Sequence, residues 1–260
     1  MTGFIGGGNM AEALIKGMTS HGLKDILVSE PREERRKYLE NTYGIKTSPD
    51  NMAIVRAGNI VILAVKPQVM ADVLDEIKDS VTEEKTVVSI AAGITLSYLQ
   101  SKLKTKKLIR VMPNVGAFTG EGMTVLSLCE CFDDKDIRAV RDIFMSVGKV
   151  LTLPEKYMNA VTALSGSGPA FIAIFIEAMI DAGIKMGLKE DDALTLAGQT
   201  ALGTAKLLEG GMTPKKLREM VTSPGGTTEA GIKVFEDTGL RKIVEDALDA
   251  ALKRAGELAK

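Results

Sequence analysis

The sequence has little of two residue types on which much enzyme chemistry depends. Among its 260 residues there is one histidine, His21, and there are two cysteines, Cys129 and Cys131. This scarcity argues against a histidine-based catalytic triad, a multi-histidine metal site and a disulfide framework. His21 is expected at the exposed end of the first helix, where it would favour the helix dipole. The two cysteines are interpreted as incidental thiols of a reducing cytosol.

The net charge is small, and long apolar runs are scarce. Lys and Arg total 33 against 34 Asp and Glu, which gives a net charge of −1 and argues against a broad nucleic-acid or membrane surface. The N-terminus has no basic region or long apolar core, so no signal peptide is expected. The longest uncharged stretch, residues 157–176, is interpreted as too polar to span a bilayer. We therefore expect a cytoplasmic protein without a membrane or nucleic-acid partner.

Short apolar runs alternate with segments of helical periodicity in the first part of the chain. The run 60–64 is apolar throughout, which suits a strand buried on both faces of a parallel sheet. The alternation predicts right-handed βαβ crossovers and a doubly wound α/β sheet. The predicted strands are residues 3–5, 26–29, 60–64, 86–90, 108–112, 123–128 and 149–153. The predicted helices between them are residues 9–21, 32–41, 69–80, 96–103 and 135–147.

Strand patterns stop after about residue 154, and only helices are predicted beyond it. The sequence thus predicts an α/β domain over residues 1–153 and an all-α domain over residues 154–260. Alanines at every fourth position of one helix allow close helix packing, either within the chain or between subunits; they are Ala193, Ala197, Ala201 and Ala205. The predicted helices are residues 156–164, 169–186, 190–208, 214–221, 228–237 and 240–259.

A glycine-rich turn follows the first predicted strand and opens the first predicted helix. The segment Gly6-Gly7-Gly8-Asn9-Met10-Ala11 fits the dinucleotide-binding pattern G-x-G-x-x-G/A. Gly6 permits the tight turn, Gly8 lets the backbone approach a pyrophosphate, and Ala11 lets the helix pack closely on the strand. The N–H groups at the helix start would then face the phosphates.

The end of the second predicted strand leaves the choice of dinucleotide open. Glu30 lies where an acidic residue binds the ribose 2′-hydroxyl of NAD. Ser29, Arg32, Arg35 and Arg36 could instead hold the 2′-phosphate of NADP, for which the arginine fork is suited. Arg35 and Arg36 are interpreted mainly as solvated charges at a helix start, whereas for Arg32 the two interpretations are evenly balanced.

Three further strand ends carry residues suited to a ligand. Lys66, before the strand-stopping Pro67, would project toward a cofactor or an anionic substrate. The small residues Ala91-Ala92-Gly93 let a flat ring or a sugar lie against the backbone. Asn114 offers an amide to a carboxamide or a carboxylate, or it shapes the turn.

The second part of the chain contains two glycine-rich helix starts. One is Ser165-Gly166-Ser167-Gly168-Pro169, and the other is Ser223-Pro224-Gly225-Gly226-Thr227-Thr228. The second would present bare N–H groups and hydroxyls at a helix N-terminus, which makes a carboxylate receptor. Ordinary capping needs only one such residue.

Taken in order along the chain, these motifs resemble the pyrroline-5-carboxylate reductase family. The resemblance covers essentially the whole sequence. The two C-terminal motifs are its specific part, because the glycine-rich turn is shared by many dinucleotide-binding proteins. The motifs are Gly3-Phe4-Ile5-Gly6-Gly7-Gly8-Asn9-Met10, Ala64-Val65-Lys66-Pro67, Ser89-Ile90-Ala91-Ala92-Gly93, Met112-Pro113-Asn114, Leu164-Ser165-Gly166-Ser167-Gly168-Pro169-Ala170 and Ser223-Pro224-Gly225-Gly226-Thr227-Thr228.

The resemblance implies a Rossmann-type domain, an all-α dimerisation domain and an active site where the halves of the dimer meet the cofactor. It implies NADP, or NAD, as cofactor, 1-pyrroline-5-carboxylate as substrate, and a homodimer that can assemble into decamers. The residues implied to bind the cofactor are Ile5, Gly6, Gly7, Gly8, Asn9, Met10, Ser29, Arg32, Asn51, Ala64, Val65, Lys66, Pro67, Ala91, Ala92 and Gly93. Those implied to bind the substrate are Gly226, Thr227 and Thr228, with Thr228 and Lys66 as catalytic residues.

Reduction of a cyclic imine suits a chain with one histidine. A protonated imine is already an electrophile, so the cofactor supplies the chemistry and the protein supplies position. Two rival functions stay open from the sequence: a β-hydroxyacid dehydrogenase and a nucleotide-sensing regulator without turnover. The first needs a lysine along the helix after the G-x-G segment, whereas residues 169–186 contain only Lys185, at the end.

Overall fold

The computed structural model describes residues 1–129 and 134–259, with the backbone only for residues 134–136. Compactness divides the chain into two units: Met1–Ser167 together with Ala251–Lys260, and Gly168–Ala250. This division falls 14 residues beyond the predicted boundary at residue 153. The intervening residues stay with the first unit because Met158 and Val161 pack against Val125 of its sheet. The domain boundary itself stays a prediction.

The first unit is built on an eight-stranded sheet with the order β3-β2-β1-β4-β5-β6-β7-β8. Each predicted strand is present within one residue of its expected bounds. The strands are β1 Thr2–Ile5, β2 Ile26–Ser29, β3 Lys46–Ser48, β4 Ile60–Leu63, β5 Thr86–Ser89, β6 Leu108–Met112, β7 Gly122–Leu128 and β8 Gly148–Thr152. The pairs from β3 to β6 are parallel, as a doubly wound sheet requires.

Helices connect and cover these strands and make up the second unit. Those up to the sheet's last strand are α1 Asn9–Ser20, α2 Glu33–Tyr43, α3 Asn51–Ala57, α4 Met70–Ile77, α5 Leu96–Lys102 and α6 Asp134–Met145. The remainder are α7 Met158–Val161, α8 Gly168–Lys185, α9 Glu190–Glu209, α10 Pro214–Met220, α11 Thr227–Asp237 and α12 Leu240–Leu258. The predicted helix over residues 156–164 is instead a 3-10 turn, α7 and a π-helical turn over Thr162–Gly166.

Three features of the first unit go beyond the predicted pattern. β3 and α3 were not predicted, and they complete the half of the sheet beyond β2. β7 runs antiparallel to β6. Residues 113–121 between these two strands hold only a short 3-10 turn, so the chain folds straight back instead of crossing over.

The central strands of the sheet are buried on both faces, since adjacent residues of a strand point to opposite sides and helices cover each side. On β1, Phe4 packs with Leu14 of α1, whereas Ile5 packs with Leu74 of α4. All four side chains are fully buried. This explains the continuous apolar run of β4.

The end of α1 explains the single histidine. His21 is exposed at the C-cap of α1, where its Nδ1 lies 2.9 Å from the carbonyl oxygen of Gly17. The expected position is confirmed. Of the two cysteines, Cys131 lies outside the described residues, while Cys129 bonds through Sγ to the carbonyl oxygen of Lys106.

The second unit exposes much of its apolar surface. α8 is strongly apolar yet has no buried residue, and Ile172 and Ile174 are 60% and 62% exposed. Two of the four alanines on one face of α9, Ala193 and Ala197, are buried by packing within the chain. The packing is close, because a side chain at Gly183 would meet Ala193.

Within the described part of the chain, one helical stretch passes the length and hydropathy test for a membrane span. It covers Glu155–Lys185 and reaches a mean hydropathy of 1.6. Residues 157–176 were expected to be too polar to span a bilayer. As a statement about composition alone, that expectation is wrong. The test is weak evidence for a membrane, because an apolar helix that is covered by other protein passes it equally well.

Candidate active site

The predicted cofactor residues lie along one edge of the sheet. Ile5, the last residue of β1, is in register with Ser29 of β2 on one side and with Leu63 of β4 on the other. Leu63 is in turn in register with Ser89 of β5. The loops after these four strands therefore start side by side. Strand order reverses between β1 and β4, which is where open α/β sheets bind ligands.

The three glycines after β1 are required for three different reasons. Gly6 has a φ of +100°, and a side chain there would lie 2.7 Å from the carbonyl oxygen of Ala64. Gly7 is buried, and a side chain would meet Leu39 of α2 at 2.9 Å. At Gly8 an added Cβ meets nothing within 4 Å. Gly8 therefore leaves open space beside the backbone, as the dinucleotide pattern predicts.

The start of α1 fits an anion. Gly8 is the N-cap of α1, and no side chain caps the helix from that position. Asn9 is exposed, and Met10 is half-buried. The orphan N–H groups of the first turn and the positive end of the helix dipole thus adjoin the space over Gly8. These residues fit the pyrophosphate of a dinucleotide.

Glu30, at the end of β2, is already fully engaged within the protein. Its Oε1 accepts hydrogen bonds from Nε of Arg32 at 2.8 Å and from the backbone N–H of Arg32 at 3.1 Å. Its Oε2 accepts from the N–H of Gly7 at 3.2 Å. Burial raises the pKa of Glu30, but the bonds from Arg32 and Gly7 outweigh burial and hold the pKa below its ordinary value. Glu30 is therefore an anion that is satisfied before any ligand arrives.

Ser29 and Asn51 meet beside this pair. Ser29 donates from Oγ to Oδ1 of Asn51 at 2.5 Å, and Asn51 donates from Nδ2 to Glu76 at 2.7 Å. Asn51 is the first residue of α3, whose N-cap Asp50 accepts from the N–H of Met52. The unpredicted helix α3 thus brings Asn51 to the end of β2.

The loops after β4 and β5 differ in how open they are. Ala64 and Val65 are half-buried and Lys66 is exposed, before a 3-10 turn that begins at Pro67. In the loop after β5, Ala91 is buried and Ala92 is exposed. Gly93 has a φ of +77°, and a side chain there would lie 2.5 Å from the carbonyl oxygen of Leu258. The space beside Gly93 is therefore taken by the end of the chain.

Two residues have roles that the sequence did not indicate. Arg35 donates from Nε to the carbonyl oxygen of Gly7 at 2.7 Å, and Arg36 donates from Nη1 to that of Glu30 at 2.8 Å. Both side chains are only partly exposed, so their interpretation as solvated charges is wrong. No local pattern could reveal this, because Arg35 and Gly7 are 28 residues apart.

Asn114 shapes its own turn and also holds a distant segment. Its Oδ1 accepts from the N–H groups of Gly116 and Met123, at 3.2 and 3.0 Å. Its Nδ2 donates to the carbonyl oxygen and Oγ of Ser165, at 3.2 and 3.3 Å. Ser165 lies in the π-helical turn that precedes α8. Such turns recur at functional sites, and here the turn is fixed from the end of β6.

In the second unit, the start of α11 has the form of an anion receptor. Gly226 is its N-cap and supplies no capping side chain. The carboxylate of Glu229 instead accepts from the N–H of Gly225 at 2.7 Å. Thr227 is exposed and Thr228 is half-buried. A groove of about 690 Å³ runs beside Gly226.

This sheet, with its open helix start at the switch point, defines the chain as a Rossmann-type dinucleotide-binding protein. Two family models match it. Residues 1–93 match the family described as NADP oxidoreductase, coenzyme F420-dependent. Residues 155–258 match the family described as pyrroline-5-carboxylate reductase dimerisation.

Individual proteins specify the family further. The sequence is 44% identical to the pyrroline-5-carboxylate reductase of Methanosarcina acetivorans, over 99% of this chain and 97% of that protein. The structure of the Coxiella burnetii pyrroline-5-carboxylate reductase has a TM-score of 0.94 at 36% identity, covering 100% and 98% of the two chains. Plasmodium falciparum pyrroline carboxylate reductase with NADP bound has a TM-score of 0.88 at 30% identity, with the same coverage. The chain belongs to the pyrroline-5-carboxylate reductase family, as its motifs predicted.

Proposed function

We propose that this chain reduces the cyclic imine 1-pyrroline-5-carboxylate to L-proline with NADPH, the last step of proline biosynthesis. Family membership gives the reaction class. The observation that carries the proposal at the level of residues is the pair of uncapped helix starts, at Gly8 and Gly226. One suits a pyrophosphate and the other suits a carboxylate.

NADPH, when bound, supplies the hydride. Ile5, Gly6 and Gly7 carry the chain to the start of α1, where the N–H groups of Gly8, Asn9 and Met10 hold the pyrophosphate. Arg32 takes the 2′-phosphate. Ser29 is buried and its hydroxyl already donates to Asn51, so Ser29 and Asn51 together support the adenosine side. Flanking the nicotinamide ribose are the remaining proposed cofactor residues: Ala64, Val65, Lys66, Pro67, Ala91, Ala92 and Gly93.

The substrate carboxylate is held by the N–H groups of Gly226, Thr227 and Thr228. Two effects favour the carboxylate there: the unsatisfied N–H donors and the positive end of the α11 dipole. Thr228 supplies its hydroxyl to the ring nitrogen, as hydrogen-bond partner or proton relay. The ring nitrogen of a protonated imine needs only to be oriented, so no strong protein acid is required.

Lys66 is proposed as a second catalytic residue. It is exposed at the end of β4, beside the switch point of the sheet. A flexible ammonium group there adds positive charge near the anionic coenzyme and substrate.

The exposed apolar helices of the second unit support self-association. A helix as apolar as α8, with no buried residue, needs cover from other protein or from lipid. The match of residues 155–258 to a dimerisation family favours a second copy of the chain. We propose a homodimer that can assemble into a decamer, in the cytoplasm, without membrane or nucleic-acid partners.

One assay tests the function: oxidation of NADPH by the purified protein with 1-pyrroline-5-carboxylate. Imine-dependent oxidation with proline as product is expected. Coenzyme binding without turnover would favour a regulator. Reduction of NADP⁺ by β-hydroxyacids in a parallel assay, with no reduction of the imine, would favour the dehydrogenase. The latter lacks support because Lys185 lies at the end of α8.

A further inference from the structure

Gly7 is held from both sides by charged side chains of the neighbouring strand and helix. Its N–H donates to the carboxylate of Glu30 at 3.2 Å, and its carbonyl oxygen accepts from Nε of Arg35 at 2.7 Å. The two peptide planes that flank Gly7 are thereby fixed. These planes lead directly into Gly8, where α1 begins.

Arg35 is itself held in place by a compact polar cluster. Its Nη2 donates to Oε2 of Glu12, on α1, at 2.5 Å. The other oxygen of Glu12 accepts from the hydroxyls of Tyr43 and Tyr38, at 2.7 and 2.9 Å. The guanidinium carbon of Arg35 also lies 5.1 Å from the centre of the Tyr38 ring. Glu12 and Arg35 are only 21% and 19% exposed, so solvent competes weakly with these bonds.

Arg35 already has two partners, and its low exposure leaves it poorly placed for a third. Nε is used by Gly7, and Nη2 is used by Glu12. Arg32, by contrast, is 69% exposed and keeps donors on its solvent side beyond those it gives to Glu30. The two arginines therefore differ in task although they lie three residues apart.

We propose that Arg35 is a positioning residue for the coenzyme: it fixes the Gly7 carbonyl, and so the start of α1, without contacting the 2′-phosphate. A loop that is ordered before binding loses less conformational freedom when the coenzyme arrives. Without Arg35, the loop would have to become ordered when the coenzyme binds, and this loss of conformational freedom would weaken binding. The inference rests on the proposed function only for the identity of the coenzyme.

Arg35 should therefore contribute equally to the affinity for NADPH and for NADH, because both coenzymes have the pyrophosphate that the loop binds. We expect Arg35→Gln to weaken both coenzymes by the same factor, about tenfold, which corresponds to about 1.4 kcal/mol. The KM for coenzyme rises, while kcat and the KM for the imine stay close to their original values. A purely structural defect would instead lower kcat and the fraction of folded protein, and it would not raise the KM for coenzyme selectively.

Binding is measured directly, through the fluorescence of the reduced nicotinamide as each coenzyme is titrated into the protein. The protein has no tryptophan, so emission from that residue does not interfere. Lys37→Gln is the matched control, since Lys37 is exposed on the same helix and, among the described residues, forms an ion pair with Glu33 alone. It is expected to bind both coenzymes as the original protein does.

The outcomes separate the alternatives. Loss of NADPH affinity alone would overturn the proposal in favour of direct contact with the 2′-phosphate, and unchanged affinity for both would overturn it outright. If Arg35→Gln fails to fold, Glu12→Gln decides, since it keeps an acceptor for both tyrosines. An equal loss of about threefold for both coenzymes supports the proposal, and no loss contradicts it. Because no imine is present, failure of the proposed reaction would leave this result intact.

Discussion

Nε of Arg32 lies 2.8 Å from Oε1 of Glu30, the acidic residue at the position that commonly binds the coenzyme ribose. The backbone N–H of Arg32 reaches the same oxygen at 3.1 Å. The carboxylate is thereby neutralised, and the guanidinium is anchored beside the proposed coenzyme site. In the proposed function, the acidic residue that would repel a 2′-phosphate instead supports the cation that is proposed to attract it.

Arg32→Gln is predicted to change coenzyme preference. The substitution removes the cation and releases Glu30, whose charge then opposes a 2′-phosphate and suits the ribose hydroxyls of NADH. We expect kcat/KM for NADPH to fall by about tenfold or more, while that for NADH is unchanged or rises. Steady-state assays with the two coenzymes in parallel measure the ratio. An equal fall for both would show that Arg32 does not read the 2′-phosphate.

Substitutions at Gly6 and Gly8 should distinguish an effect on folding stability from an effect on coenzyme affinity. Gly8→Val adds a side chain in open space, so the melting temperature is expected to stay within a few degrees while coenzyme affinity falls by about a hundredfold. Gly6→Val forces a φ of +100° on a branched residue that meets Ala64, which should cost roughly 1–3 kcal/mol of stability or more. Thermal melts and coenzyme titrations check both. Full coenzyme affinity in Gly8→Val would contradict the proposed pyrophosphate site.

Glu12 and Glu30 predict how stability depends on pH. The pKa of each lies below the ordinary value of 4.5 in the folded protein, because hydrogen bonds from Tyr43 and Arg35 at Glu12, and from Arg32 at Glu30, outweigh burial. A carboxyl whose folded pKa is lowered stabilises the protein above its unfolded pKa, and this stability is lost as pH falls through the folded pKa. The melting temperature should therefore drop as pH falls below 4.5.

The double variant Glu12→Gln, Glu30→Gln isolates these two groups. It should be less stable than the original protein at neutral pH, and its melting temperature should fall less steeply in acid. The same steep acid limb in both proteins would assign the effect to other carboxyls.

Thr228 carries the most specific catalytic assignment. Thr228→Ala removes the hydroxyl proposed to meet the ring nitrogen, so kcat/KM for the imine should fall by about tenfold or more, about 1.4 kcal/mol. Thr228→Ser keeps the hydroxyl and should restore most of the activity. A loss below about twofold in Thr228→Ala would remove Thr228 from the mechanism.

The apolar face of α8 predicts the oligomer. Ile174 is 62% exposed, and Ile174→Asp would bury an unpaired carboxylate if a second copy covers it. We expect the variant to dissociate to monomers by light scattering, with loss of activity. Leu23→Asp, at a residue 38% exposed in the first unit, is the control and should leave the oligomer intact. An oligomer that survives Ile174→Asp would place the interface elsewhere.

Strong local patterns identified the main elements of the fold. The glycine-rich turn from Gly6 predicted the strand before it and the helix after it, and the solid apolar run of β4 predicted a doubly buried strand. β3 was missed because it spans only three residues, whereas α3 was missed although α5 and α10, which are equally short, were predicted. The available signals for α3 were Asp50, which caps its start, and Arg56 and Gly58 at its end.

The site was less predictable than the fold because it depends on contacts between distant residues. Motif spacing placed Gly8 and Ser29 correctly along the sheet edge. The bond from Asn114 to Ser165 spans 51 residues, and that from Arg35 to Gly7 spans 28. Such pairs join a loop at a strand end to a distant helix or helical turn, so no local sequence pattern predicts them.

The assignment to imine reduction is tested most directly by following loss of the reduced nicotinamide absorbance with 1-pyrroline-5-carboxylate, using NADPH and NADH in parallel. The account predicts stoichiometric formation of proline, with NADPH used at least as well as NADH, and a marked loss of rate in Thr228→Ala. Failure of both coenzymes to be oxidised by a folded protein that binds them would contradict it.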